Sequence, residues 1–168
     1  MSESSTTGFT AKWNRLTGAT SYKIDVSTSS DFSTFLTNYN NKDAGNDTTA
    51  IVSSLTPGTT YYYRVRAYSS SNSSGNSNSI TVSTENLPVP STPVTKEAAN
   101  ITTTSFTASW YSSSDATNYS IDVSTDEAFS NILPNYNDKK VGSVILTNVS
   151  DLIPSTRYYY RIRASNSG

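Results

Sequence analysis

Apolar and polar residues alternate with a period of two in short runs along the chain, and the clearest run occurs twice. Leu55-Thr-Pro-Gly-Thr-Thr-Tyr-Tyr-Tyr-Arg-Val-Arg-Ala67 returns as Leu152-Ile-Pro-Ser-Thr-Arg-Tyr-Tyr-Tyr-Arg-Ile-Arg-Ala164. A Pro-Gly or Pro-Ser turn opens each copy onto a run rich in β-forming residues. Strand geometry sends Tyr61, Tyr63, Val65 and Ala67 to one face, and Tyr62, Arg64, Arg66 and Tyr68 to the other. In the second copy Tyr158 begins the inward phase, while Tyr159, Arg161 and Arg163 point outward. Each run predicts a half-buried antiparallel strand.

Shorter runs of the same kind surround it. Phe9, Ala11 and Trp13 alternate with polar residues, as do Phe106, Ala108 and Trp110. Tyr22, Ile24 and Val26 form a second inward set, matched by Tyr119, Ile121 and Val123. Ala50, Val52 and Leu55 lead into the first proline turn, and Thr147, Val149 and Leu152 into the second. Every pair stands 97 positions apart (9 to 106, 57 to 154). That period is too long for a solenoid unit and fits tandem globular domains. No segment has sustained helical periodicity. Between the copies, residues 85–93 carry Pro88, Pro90 and Pro93, which predict an extended, fairly stiff linker. The Ser/Asn/Gly run at 69–78 reads as a mobile hairpin loop before Ile80-Thr-Val-Ser-Thr84.

Composition sharpens this picture. A chain of 168 residues with 34% hydrophobic and 11% aromatic residues suits two small β-domains with aromatic-rich cores. A net charge of −1 with only 15% charged residues gives no electrostatic footprint for nucleic acid. There is no apolar run long enough for a membrane-spanning helix, and Met1 is followed by polar residues instead of a signal peptide. With no cysteine, disulfides and thiolate metal sites are excluded.

The early-strand Trp, the Tyr-x-Ile-x-Val strand and Leu-x-Pro-x-Thr-x-Tyr, each present twice, resemble fibronectin type III domains. The resemblance implies an all-β fold of two tandem, immunoglobulin-like β-sandwiches, residues 1–86 and 87–168. It makes Trp13 and Trp110 core centres, and Leu55 and Leu152 are expected in the core as well. It makes Tyr61 and Tyr158 the tyrosines whose hydroxyls tie down the preceding loop. The Ser-Thr-x-x-x-Phe-Ser element, at 27–33 and 124–130, is similar to the bacterial extracellular branch, whose domains are strung along secreted enzymes and adhesins. Against that pattern, the first copy is expected to lack its first strand. The second has a candidate first strand at 94–101 and is expected to lack its last.

Candidate chemistry is sparse. Without histidine or cysteine there is no catalytic triad and no thiol nucleophile. Asp25 and Asp122 are expected to pair across strands with Arg64/Arg66 and Arg161/Arg163 on a solvated face. The loop acids Asp126, Glu127 and Asp138 lack the spacing of a calcium loop, so no cofactor or metal is expected. Five Asn-x-Ser/Thr acceptors, at Asn46, Asn72, Asn100, Asn118 and Asn148, are what so Ser/Thr/Asn-rich a chain throws up. Tyr62, Arg64, Arg66 and Tyr68, with Tyr159, Arg161 and Arg163, form a candidate flat stacking face. The expected function is a non-catalytic spacer between flanking domains of a secreted or cell-surface protein. The alternative is a polysaccharide- or protein-binding adhesion module on the Tyr/Arg face. Self-association through open strand edges is a further expectation.

Overall fold

A computed structural model describes residues 3–166. The chain divides into two compact units, Met1–Leu87 and Pro88–Ser167, and each is described on its own. The division falls inside the proline-rich stretch 85–93, which contains no strand.

Unit 1 contains β1 (Gly8–Lys12), β2 (Ser21–Ser27), β3 (Lys42–Asp43), β4 (Thr49–Ser53), β5 (Thr60–Tyr68) and β6 (Ile80–Ser83). β1 and β4 form a two-stranded antiparallel sheet; the other sheet has the order β3-β2-β5-β6. Inward side chains of both sheets meet in one core, with Phe9, Ala11 and Val52 from one and Tyr22, Ile24, Tyr61 and Tyr63 from the other. The burial of β5 alternates at every residue, as its sequence does. That packing makes the unit a β-sandwich.

Unit 2 repeats this plan with β7 (Phe106–Ser109), β8 (Asn118–Ser124), β9 (Lys139–Gly142), β10 (Leu146–Val149) and β11 (Tyr159–Ser165). β10 pairs with β7, and the second sheet runs β11-β8-β9. Several turns repeat at matching positions. Ser54 and Asp151 both take left-handed backbone, with φ of 61° and 60°, one residue past the end of β4 and two past the end of β10. Four residues later Gly58 and Ser155 do the same. Gly58 takes this backbone without strain, and a Cβ there would lie 2.4 Å from the side-chain Oδ1 of Asn86, which would have to move aside.

The two units differ at their margins. Residues 94–99 run beside β7, with bridges from Thr95 to Trp110 and from Ala99 to Thr107. In unit 1 only a short stub does this: Ser4 bridges Phe9, and the Thr10 amide donates to Glu3. Among the described residues the opposite margin is covered in unit 1 alone. β6 pairs with β5 there, and the serine-rich run 69–78 continues along the same edge. Instead of looping free, that run is zippered to β5. Ser74 Oγ and Ser77 Oγ accept from the Ala67 and Val65 amides at 3.0 Å each. The Ser74 and Ser77 amides donate back to Ala67 and Val65 at 2.8 and 2.9 Å. In unit 2, β11 is the edge of its sheet among the described residues.

Candidate functional site

The outward face of β2 and β5 is organised around Asp25. Cross-strand register sets it opposite Arg64, and its carboxylate is 1% exposed, so the expectation of a solvated pair is corrected. Arg64 Nε donates to Oδ2 at 3.0 Å, and Arg66 donates to both oxygens at 3.0 and 3.1 Å. The amide of Asn41 donates to Oδ1 at 2.7 Å. Asn41 has left-handed backbone, with φ 58°. Asp25 therefore bolts the loop after β2 back onto the sheet. The lid is aromatic: Phe32 lies 4.2 Å and Phe35 5.9 Å from the Arg64 guanidinium. Those rings arrive from a loop that hydrophobic periodicity does not mark, and they leave the Arg64 side chain about one-fifth exposed.

Asp122 does the same work in unit 2, again 1% exposed. Arg161 Nε donates at 2.7 Å, Arg163 at 2.8 and 2.9 Å, and the Asp138 amide at 2.7 Å. Burial works to raise the Asp122 carboxyl, but the Asp138 amide and the two guanidiniums outweigh it and hold it below the usual carboxylate range. Asp138 stands where unit 1 has Asn41, and it adds a second anion. Its oxygens accept from Lys140 at 2.8 Å, Ser120 at 2.7 Å and Arg163 at 2.9 Å. Those bonds, led by Lys140, hold its carboxyl well below the ordinary range. Arg163 is raised in turn, chiefly by Asp138.

The arginines of the two units are covered unequally. The side chains of Arg64 and Arg66 are 21% and 27% exposed, against 46% and 47% for Arg161 and Arg163. Two matching positions beside these arginines differ between the units. Phe129 lies 4.3 Å over Arg161, but the place of Phe35 is taken by Ile132, and that of Tyr68 by Ser165.

The candidate stacking face is consequently not a free plane. Arg64 is held between a carboxylate and two rings, and Arg66 between Asp25 and the Asn41 side chain, 2.9 Å away. Tyr68 carries the Lys23 ammonium 4.9 Å above its ring. Tyr62 and Tyr159 are half-buried. The loop acids are also engaged in turn-making. Asp126 accepts from Ser124, Ser130 and the Asn131 amide. Among the described residues no group of three or more acidic, histidine or cysteine side chains is placed to hold a metal.

The aromatic core residues divide by unit. Tyr61 is buried, and its hydroxyl accepts from the Thr56 amide at 3.0 Å; Tyr158 makes the same bond to Ile153 but is half-buried. Leu55 and Leu152 are buried. Trp110 is fully enclosed, 5.6 Å from the Tyr119 ring. Trp13 meets Tyr22 at 5.7 Å but is only partly buried, at the margin of the core instead of its centre. Its flank is open because the stub before β1 stops short of it.

The family model for the fibronectin type III domain matches residues 1–83 and again residues 91–168. Among solved structures, a two fibronectin type-III domain segment from chicken tenascin is similar over 98% of this chain and 87% of that one. Its identity is 19% and its TM-score 0.44. The FN1–FN3 domains of chicken CNTN1 are similar over 97% of this chain and 56% of that one, at 19% identity and a TM-score of 0.41. No curated protein gives a significant match.

Proposed function

The chain belongs to the fibronectin type III family, with two domains in tandem, and on that premise we propose that it is a non-catalytic spacer within a secreted or cell-surface protein. Domains of this family are structural or binding modules and are commonly found in extracellular proteins. No helix among the described residues is long and apolar enough to cross a membrane. The observation that carries the reading is the use made of the most reactive-looking side chains. Asp25 and Asp122, with four arginines, are committed to holding loops onto sheets. A face that spends its charge on its own backbone has little left for a ligand. The Ser-Thr-x-x-x-Phe-Ser element supports a bacterial source.

A second reading, a glycan- or protein-binding module, draws support from unit 2 alone, where Arg161 and Arg163 are about half exposed beside Tyr159. A glycan array and a titration with the wild type and Tyr159→Ala decide between them. The spacer reading expects no saturable binding, and a change confined to stability in the variant. Saturable binding that Tyr159→Ala abolishes would overturn it.

A further inference from the structure

Among the described residues, β3, β4, β9 and β10 each lie at a sheet edge with no strand beyond them. An edge strand is a template for another chain, and charged side chains are a usual guard against such pairing. β3 consists of Lys42 and Asp43, β9 begins with Lys139 and Lys140, and the exposed Asp47 stands just before β4. β10 has no such guard, since residues 141–150 contain no charged side chain and no proline. Val144, Ile145 and Leu146 are about half exposed, where the matching residues of unit 1 are Asp47, Thr48 and Thr49. The core of unit 2 does not call for that exchange, because none of the three packs into it.

The course of the backbone decides which groups stay open. The Trp110 amide donates to the Ile145 carbonyl at 3.0 Å. Hydrogen-bonded positions alternate along an antiparallel strand, so Ile145, Thr147 and Val149 turn their amides and carbonyls toward β7. Leu146 and Asn148 turn theirs the other way, where no described strand lies beside β10. Ser150 faces that side too, but its amide donates to the Tyr136 hydroxyl at 2.8 Å. Two open positions therefore flank Thr147, and the next one along is occupied.

We infer that β10 is a pairing edge for β10 of a second copy of this chain, the two strands running antiparallel about a two-fold axis at Thr147. That register uses both open positions and spares Ser150. Leu146 of each copy exchanges main-chain bonds with Asn148 of the other, and Thr147 meets Thr147, a favourable cross-strand pair. Ile145 falls opposite Val149 of the second copy, so its half-exposed side chain gains apolar cover at the rim of that core. A second copy fits because pairing about a two-fold axis is self-complementary, and an uncharged edge does not repel itself. The pairing goes beyond the spacer reading, since it joins two chains side by side and continues the β7-β10 sheet across them.

The test uses the whole chain, with sedimentation equilibrium and amide exchange over a range of protein concentrations. The expected result is a monomer–dimer equilibrium that slows exchange at Leu146 and Asn148 as concentration rises and leaves residues 158–164 unchanged. Two double variants probe the register, both at exposed positions outside the core. Leu146→Lys with Asn148→Lys sets like charges opposite each other and should weaken the dimer at least about tenfold. Leu146→Lys with Asn148→Glu sets opposite charges there and should keep the dimer within about threefold of the wild type. The inference is overturned if the wild type stays monomeric into the millimolar range, if the two variants behave alike, or if association protects residues 158–164 instead.

Discussion

Trp13 and Trp110 hold matching places in two near-identical strands, yet one is sealed and the other has a free flank. The same inequality appears at the far margin with the roles exchanged. Tyr61 lies beneath β6, while Tyr158 looks onto an open cleft. The lesson is that a residue's phase in its strand decides which way it points, but the neighbouring segment decides whether pointing inward amounts to burial. Residues 94–99 run beside Trp110, and β6 pairs alongside Tyr61. Among the described residues, each unit has the cover that the other lacks.

The most severe test of that contrast is truncation of the two tryptophans. Trp110→Ala should cost unit 2 about 3–5 kcal/mol, the usual range for removing a large enclosed ring. Trp13→Ala should cost unit 1 distinctly less, since its ring leaves a smaller cavity and already meets solvent. Denaturant unfolding of each variant measures both. Acrylamide should quench Trp13 in the native protein and spare Trp110. Equal losses and equal quenching would break the comparison.

The buried carboxylates come next. Asp25→Ala strands Arg64 and Arg66, which make no other ion pair among the described residues, and breaking a buried ion pair from one side typically costs about 3–5 kcal/mol. Asp122→Ala should be milder. Arg161 and Arg163 are better hydrated, and Arg163 keeps Asp138 as a partner. A larger loss in unit 2 would mean that the aromatic lid over Arg64 is not what sets the cost.

Much of this was legible in the residues alone, and what was not has a physical reason. Alternation gave the inward faces of β2, β5 and β8, because a period of two leaves a signal that survives any turn between strands. The fixed 97-residue shift gave the tandem plan. Burial of Asp25 left no such trace, since it depends on a loop without periodicity folding back so that the Asn41 amide and two guanidiniums close around the carboxylate. The zippering of 69–78 was equally hidden. A serine that bonds a strand edge through Oγ looks, in sequence, like a serine in a loose loop. The unequal tryptophans could not be told apart from within their own strands, because the difference lies in segments some ten residues away.

Hydroxyl removal sharpens the comparison at smaller scale. Tyr61→Phe leaves the Thr56 amide without its acceptor beneath β6 and should cost on the order of 1–3 kcal/mol. Tyr158→Phe should cost less, because water entering the cleft can replace the lost bond to Ile153. Thermal unfolding of the two variants resolves the order. If Tyr158→Phe is the more damaging, the cleft is not wet at that point.

The finest test converts one unit toward the other. Asp138→Asn gives unit 2 the residue that unit 1 has at Asn41, keeping the amide that donates to Asp122. The Asp138 carboxyl is held low by Lys140, then Ser120 and Arg163. A carboxyl depressed in the folded state adds stability that is fully present above its unfolded value, near pH 4. That stability is lost as pH falls through the folded value. The variant cannot lose what it no longer has. Its unit 2 should therefore be slightly less stable at pH 7, fall less steeply between about pH 5 and pH 2, and meet the wild type in strong acid. Asp122, also held below its usual range, remains in both proteins and keeps some acid dependence in each. The measurement is unit 2 stability against pH for the two proteins at one ionic strength. Curves that stay parallel down to pH 2 would show that Asp138 adds nothing to folding, and that unit 2 relies on Asp122 alone, as unit 1 relies on Asp25.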